Sequence, residues 1–457
     1  MELKKIVLLI FALTLFSTAV VVRFINPVVS YSTKTELPLE VGLPVHNIDS
    51  GENFSTIQEA INDNETLDGH TILVDAETYL ENVVVNKTVS LIGEDKETTI
   101  IDGNARGTVV DVTASDVLIS NFTIRNSIYT AWYSGIKVEM DNCTITNNII
   151  TNNWFGIYFG YYPGQQPRHS SDNMLCRNNI KNNRVGVYLL ACENSTIIEN
   201  NVTNSYCGVF FFSGYDNQIY HNNFIENFQQ VALPEVESTF SKLSYVWDDL
   251  FCVSYPSGGN HWSDYDGTDL LSGPYQNETG SDGIGDTAYT IYAYLPDNYP
   301  YPTLVIIDSY PLMAPISFFD AGTWDEVTYY VHTISNSTVS DFNFNPDNYL
   351  ISFNVNGTDD TVGFCRAAIP KELMWCDDLE AWNVTVNGDP PTYLKAMEDA
   401  DYTYLYLTYN HSIQGVQIKG IYVIPEFPTW TSMLLLLVLL TVATAIYKRR
   451  PLKTPIR

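Results

Sequence analysis

Positive charge is scarce in this chain. Against 53 Asp and Glu stand only 23 Lys and Arg in 457 residues, a net charge of −30. Eight of the basic residues fall in the terminal segments (Lys4, Lys5, Arg23, Lys448, Arg449, Arg450, Lys453 and Arg457), so the body of the chain is poorer still. A nucleic acid partner is excluded, because phosphate contacts need a basic footprint. Cysteine is scarce as well: seven residues are too few for a disulfide-built scaffold, and the odd count leaves at least one unpaired. The seven methionines and seven histidines are thinly spread, with His46, His70, His169, His221, His261, His332 and His411 far apart in sequence. With 45% apolar and 13% aromatic residues the chain nevertheless has material for a large core, and its length suits two or three folded units.

The ends carry the long apolar runs. Residues 1–30 open with Lys4-Lys5 and stay apolar from Ile6 to Val22, the pattern of a signal peptide. Arg23 and the lack of an A-x-A site leave an uncleaved anchor as the alternative. Near the other end, Thr431 to Tyr447 is almost wholly apolar and runs into Lys448-Arg449-Arg450. That length spans a bilayer, and the positive-inside rule puts the basic cluster in the cytoplasm. Everything between is then expected outside the cell, on a membrane anchor. Twelve N-x-S/T sequons fit an external, glycosylated chain: Asn53, Asn64, Asn86, Asn121, Asn142, Asn194, Asn201, Asn277, Asn336, Asn356, Asn383 and Asn410. The stretch Pro425-Glu426-Phe427-Pro428, followed by the apolar segment and basic tail, resembles the archaeal PEF-type sorting signal across residues 425–450. That resemblance implies a tail exchanged for a lipid anchor.

The first half repeats. Asn148-Ile149-Ile150, Asn178-Asn179-Ile180, Asn200-Asn201-Val202 and Asn222-Asn223-Phe224 align at intervals of 30, 22 and 22 residues. The longer interval holds an inserted loop with Tyr161 and Tyr162. Eight residues after the first three anchors stand Gly156, Gly186 and Gly208, each followed by a short alternating apolar stretch. Such stretches, broken by Asn and Gly, predict short strands with sharp corners rather than helices. A strand triplet of this length cannot bury its apolar face alone. Stacked as coils about 4.8 Å apart, successive triplets bury Ile, Val and Leu in one interior. Asn at a repeated corner tolerates left-handed backbone, and its amide can bond its counterpart in the next coil. The expected fold is therefore all-β: a right-handed parallel β-helix over residues 47–230, with Phe54 to Ile61 as a helix covering its open end. Column stacking of Ile150, Ile180, Val202 and Phe224 is the test of this reading.

These coils and the segments before them resemble the pectin-lyase-like superfamily, and within it the NosD-like proteins with carbohydrate-binding and sugar-hydrolysis repeats. The resemblance continues through Gly259-Asn260-His261-Trp262-Ser263-Asp264-Tyr265, Asp282-Gly283-Ile284-Gly285-Asp286 and Asp308-Ser309-Tyr310-Pro311-Leu312-Met313. It marks residues 231–313 as an Asp-, Gly- and Trp-rich extension of the β-helix. From residue 314 the strands lengthen, as in Trp382, Val384 and Val386 on one face and the run Tyr402 to Leu407, and a β-sandwich is expected over 314–424.

Three chemistries suit such a chain. Asp264, Asp266, Asp269, Asp282 and Asp286 in a Gly-rich stretch are hard oxygen ligands suited to a structural Ca²⁺, although Asp-Gly pairs also make ordinary turns. The NosD resemblance evokes copper and cofactor maturation, but copper needs clustered His, Met or Cys, and the sequence does not cluster them. A polysaccharide lyase or glycoside hydrolase is the enzymatic alternative; Asp102, Asp111 and Asp116 are its carboxylate candidates, and no catalytic motif stands out. Binding is the third. Tyr158, Tyr188 and Phe210 share a repeat position two residues after the glycine, and their inward neighbours are apolar. They line up on one outer face, with Trp132, Tyr133, Tyr161 and Tyr162 nearby, and stacked rings suit the apolar faces of sugars. Either they are exposed and bind a glycan, or a downstream segment within 231–313 covers them as core. Cys365 and Cys376 are the disulfide candidates in an oxidising setting. The expectation is a surface-anchored, non-enzymatic β-helix protein that binds glycans or builds the cell envelope.

Overall fold

The computed structural model describes residues 42–130, 132–160, 170–233, 254–293, 304–324 and 327–423. The segments read as signal peptide (1–30) and as PEF-type signal, membrane helix and basic tail (425–450) lie outside them, as do Tyr161 and Tyr162. Among the described residues no helix is long and apolar enough to cross a membrane.

The first half is a parallel β-solenoid of about 7 turns. Each turn lays one short strand on each of three sheets. The first sheet contains Leu118–Ser120, Thr144–Thr146, Met174–Cys176, Thr196–Ile198 and Gln218–Tyr220. The second contains Thr123–Arg125, Ile149–Thr151, Asn179–Lys181, Asn201–Thr203 and Asn223–Ile225. The third contains Ser134–Val138, Phe155–Phe159, Val185–Glu193, Cys207–Tyr215 and Gln229–Ala232. Ile124, Ile150, Ile180, Val202 and Phe224 pair in one unbroken register and are all fully buried, so the expected column exists. Helix α1 (Ile57–Asn62) starts at Thr56, whose side chain accepts from the Glu59 amide, and buries Ile57, Ala60 and Ile61 against the first coils.

Corner chemistry explains why the repeat tolerates so much asparagine. The corner residue preceding each anchor takes the left-handed conformation, as in Asn147 (φ 54°), Arg177 (φ 58°), Glu199 (φ 63°) and His221 (φ 55°). The next residue builds a ladder: Asn178, Asn200, Asn222 and Asn260 each present a side-chain oxygen to the preceding rung's backbone and amide N–H, and Asn148 presents its own to the Phe122 backbone N–H. The rungs are buried, and every amide is satisfied by the coil below it. A parallel ladder runs through Asn153, Asn183, Ser205 and Asn227 at the next corner.

The glycines that recur in the repeat mark close coil contact. A Cβ on Gly186 would stand 2.6 Å from the Gly208 carbonyl oxygen and 2.7 Å from a Val202 methyl. Backbone cannot retreat within a stack, so Gly186→Ala is expected to lose about 2–3 kcal/mol in urea unfolding. A loss below about 0.5 kcal/mol would mean that the coils are looser than drawn.

The Trp- and Asp-containing motifs close the far end. Trp262 stacks on Phe224 (4.5 Å, 10°), and Tyr289 stacks on Trp262 (4.5 Å, 11°), which plugs the apolar interior. Asn260 is the last rung of the ladder. Its backbone N–H donates to Asp308 Oδ2 at 2.7 Å, the same oxygen that accepts from Trp262 Nε1 at 2.9 Å.

Beyond Pro315 the sheets become antiparallel. Ile316–Trp324, Val327–Ser335, Val362–Pro370, Tyr402–Asn410 and Tyr393–Glu398 form a five-stranded sheet, and Thr338–Asn345, Leu350–Asn356, Gln414–Lys419 and Asn383–Val386 a four-stranded one. Val331, Ala367 and Leu405 from the first meet Ile351, Val416 and Ile418 from the second in one core, joined by Trp382, Val384 and Val386. In Tyr402–Asn410 the aliphatic residues Leu405 and Leu407 face this core, whereas Tyr404 and Tyr406 form a separate cluster with Met397 and Tyr255. The Cys365–Cys376 disulfide is not formed: Cys365 lies fully buried in mid-strand, Cys376 lies half-buried just after the short strand Met374–Trp375, and both are free thiols. An oxidising setting, on which the pair was expected, does not by itself bring two cysteines into bonding geometry.

Candidate functional site

Alternation on the third sheet turns Ile157, Val187 and Val209 inward and their neighbours Tyr158, Tyr188 and Phe210 outward, in register. The rings stack as the repeat implied, Tyr158 on Tyr188 at 5.1 Å and 6°, Tyr188 on Phe210 at 5.1 Å and 15°. They are not a surface. Tyr158 is fully buried and Tyr188 nearly so, in a cluster with Phe155, Val185 and Cys207. Burial drives the Tyr188 phenol far above its ordinary range. Of the two fates open to this column, the structure selects core. Trp132 and Tyr133 remain accessible, each 39% exposed.

An aromatic column that the sequence reading missed stands at the neighbouring corner. Trp154, Arg184, Tyr206 and Phe228 each follow a rung of the second ladder, six residues after the four anchors. Reading that repeat position across all four coils would have found it. The Arg184 guanidinium lies 4.9 Å from both the Trp154 and the Tyr206 ring, Tyr206 stacks on Phe228 at 5.1 Å and 18°, and Tyr129 meets Trp154 edge-on at 5.2 Å. The rungs beneath hold the spacing: the Phe228 amide donates to Ser205 O, that of Tyr206 to Asn183 O, and that of Arg184 to Asn153 O. Unlike the third-sheet column, this one is open, with Phe228 75% exposed, Tyr129 59% and Tyr206 49%. Four coil intervals make it roughly 19 Å long. One face of Phe228 rests on Tyr206, while Arg184 adds N–H donors within the column.

The carboxylates expected to bind metal are placed otherwise. Asp269 accepts from the Asp282 and Gly283 amides, Asp286 from the Leu270 and Leu271 amides and the Thr268 hydroxyl, and Asp282 from the Ile284 amide. Asp264 accepts from the Tyr289 hydroxyl, and Asp266 is exposed. Burial pushes the Asp269 carboxyl up to about 7. These are loop-tying bonds, and among the described residues no group of three or more His, Cys, Asp or Glu is arranged to hold a metal ion. His221 and His332 approach, with ring centroids 6.3 Å apart. Asp102 pairs with Arg125 on the second sheet, Asp111 lies beside Lys137 on the third, and Asp116 accepts from Asn142 at a corner, so these three carboxylates do not converge.

Comparison with known proteins agrees with the coil geometry. Residues 51–267 match the family described as "Periplasmic copper-binding protein (NosD)". A protein named "Cell surface glycoprotein" from Methanothermus fervidus is 36% identical over 112 residues, 24% of this chain but only 17% of that protein's length. Among solved structures, a rice weevil pectin methyl esterase overlaps 46% of this chain and 69% of its own, with 15% identity and a TM-score of 0.30. A tailspike protein of an Acinetobacter baumannii bacteriophage, described as a capsular polysaccharide depolymerase, overlaps 79% of this chain and 81% of its own, with 11% identity and a TM-score of 0.26. No functional conclusion follows from overlaps this loose. With its seven-turn coil and its asparagine ladders this chain folds as a right-handed parallel β-helix, and the coil is similar to the NosD family over residues 51–267.

Proposed function

We propose that this protein is a glycan-binding component of the outer cell envelope, and that the exposed column from Tyr129 to Phe228 is its binding surface. The carrying observation is a row of open rings and one guanidinium at the coil spacing, close to the length of a single pyranose unit. Sugar rings pack their C–H faces on aromatic carbon, and their hydroxyls accept from guanidinium N–H groups. A surface location is supported by the name of the Methanothermus relative and by the sequons. Eleven of the twelve asparagines are exposed, and Asn121 is half-buried. Membrane or lipid anchoring rests on the two terminal segments, and the sandwich would serve as a spacer between coil and anchor.

A glycan array on the purified protein tests this. Tyr206→Ala and Phe228→Ala are each expected to weaken polysaccharide binding about tenfold, with stability changed by less than about 0.5 kcal/mol because both rings are open to solvent. Undiminished binding by the double variant would remove the column from the account.

A further inference from the structure

A second site lies where the outer side of the coil meets the sandwich. A cavity of about 290 Å³ opens there, with His221 from a coil corner and His332 from strand Val327–Ser335 in its walls. Each histidine is only 8% exposed. His221 Nε2 is occupied, 3.2 Å from the Ser257 carbonyl oxygen. His332 packs edge-on to Phe318 at 4.8 Å and tilted against Tyr402 at 5.5 Å, and its ring makes no hydrogen bond among the described residues. A ring more than nine-tenths buried in a cavity wall, with no hydrogen-bond partner among the described residues, keeps its nitrogens open to a ligand. Burial holds the ring neutral, with its pKa pushed down to about 3, so it offers one donor and one acceptor rather than a charge.

The rest of the lining narrows the ligand. Three carboxylates line the cavity: Glu199 is paired with Arg177, Asp401 is exposed, and Asp399 is half-buried, accepting from the Tyr404 hydroxyl at 2.6 Å and from the Asp401 and Tyr402 amides. Asp399 and Asp401 disfavour an anion. The fully buried Arg366, which also lines the cavity with its guanidinium 4.5 Å from the Tyr404 ring, disfavours a cation. A neutral molecule with several hydroxyls meets neither objection. Its hydroxyls can donate to carboxylates, exchange a hydrogen bond with a neutral imidazole, and lay C–H groups on tyrosine.

We propose that this cavity binds one neutral sugar ring, with hydroxyls donating to Asp399 and Asp401 and a further hydroxyl bonded to His332. The glycan reading supplies only the ligand class; the site is separate from the exposed column. Methyl glycosides of glucose, galactose, mannose and N-acetylglucosamine, each too short to span the column, are the probes, read by saturation-transfer NMR on the whole protein. At least one is expected to bind saturably. His332→Phe, which keeps an aromatic ring but removes both ring nitrogens, and Asp401→Asn, on an exposed residue, are each expected to weaken it about tenfold. Phe228→Ala is expected to leave it unchanged. Binding by none of the four, or undiminished binding in either cavity variant, overturns the proposal. Failure of the column reading would show instead as polysaccharide binding that survives loss of Phe228.

Discussion

Asp308→Ala is expected to cost about 4 kcal/mol or more, a large part of the stability of an ordinary domain. The Asp308 carboxylate is 1% exposed and ends the asparagine ladder. Its Oδ2 accepts from the Asn260 backbone, the Trp262 indole and, at 3.4 Å, the Asn260 side chain, while Oδ1 accepts from the Tyr310 amide at 3.1 Å. Truncation leaves these donors buried without partners, each at about 1–3 kcal/mol. It also opens the plug beneath Trp262, so urea unfolding followed by tryptophan fluorescence reports the effect directly. Asp308→Asn keeps one acceptor oxygen and is expected to cost about 1–2 kcal/mol, since its new N–H₂ must face one of the donors. An alanine variant within 1 kcal/mol of the parent protein would show that the ladder needs no terminator.

Acid should separate two sets of buried groups. Burial pushes the His221 and His332 pKa values down, to about 4 and about 3. The unfolded chain protonates its histidines near 6.5, well before the folded protein does, so between those values the unfolded state binds more protons. Stability from this source therefore falls as pH drops through 6.5, by an amount on the order of several kcal/mol for the pair. Arg366 and Arg177 oppose protonation from nearby, while Asp399 favours it. Asp308 and Asp269 act in the opposite sense. Their folded pKa values are raised by burial to about 6 and about 7, so their contribution grows as pH falls and is fully present only below about 3.9. The parent protein should accordingly change little in stability between pH 6.5 and 4. His221→Asn/His332→Phe should grow more stable over the same interval, by a few kcal/mol relative to the parent. Asn is chosen because position 221 is left-handed, at φ 55°, where Asn is already common in this fold. Urea midpoints at pH 7, 5.5 and 4 decide it: parallel curves for the two proteins would mean that the imidazoles titrate normally and are not held neutral.

Local sequence was enough for the coil. A spacing of 22 residues with an apolar residue at the same place in each turn leaves one way to bury every strand, and the column Ile150, Ile180, Val202 and Phe224 follows from it. The corner asparagines likewise announced both left-handed backbone and amide bonding between turns, because short polar side chains do both cheaply. Whether an outward residue meets water is another matter. Tyr158 and Phe228 both point away from the interior at repeating positions, and only packing from elsewhere in the chain makes one core and leaves the other 75% exposed. His221 and His332, scattered in sequence, become neighbours because the sandwich folds back on a coil corner. Asp308 likewise finds Asn260 across 48 residues. Periodicity reports what a residue does within its own turn; contacts between distant segments have no period, so they had to be seen.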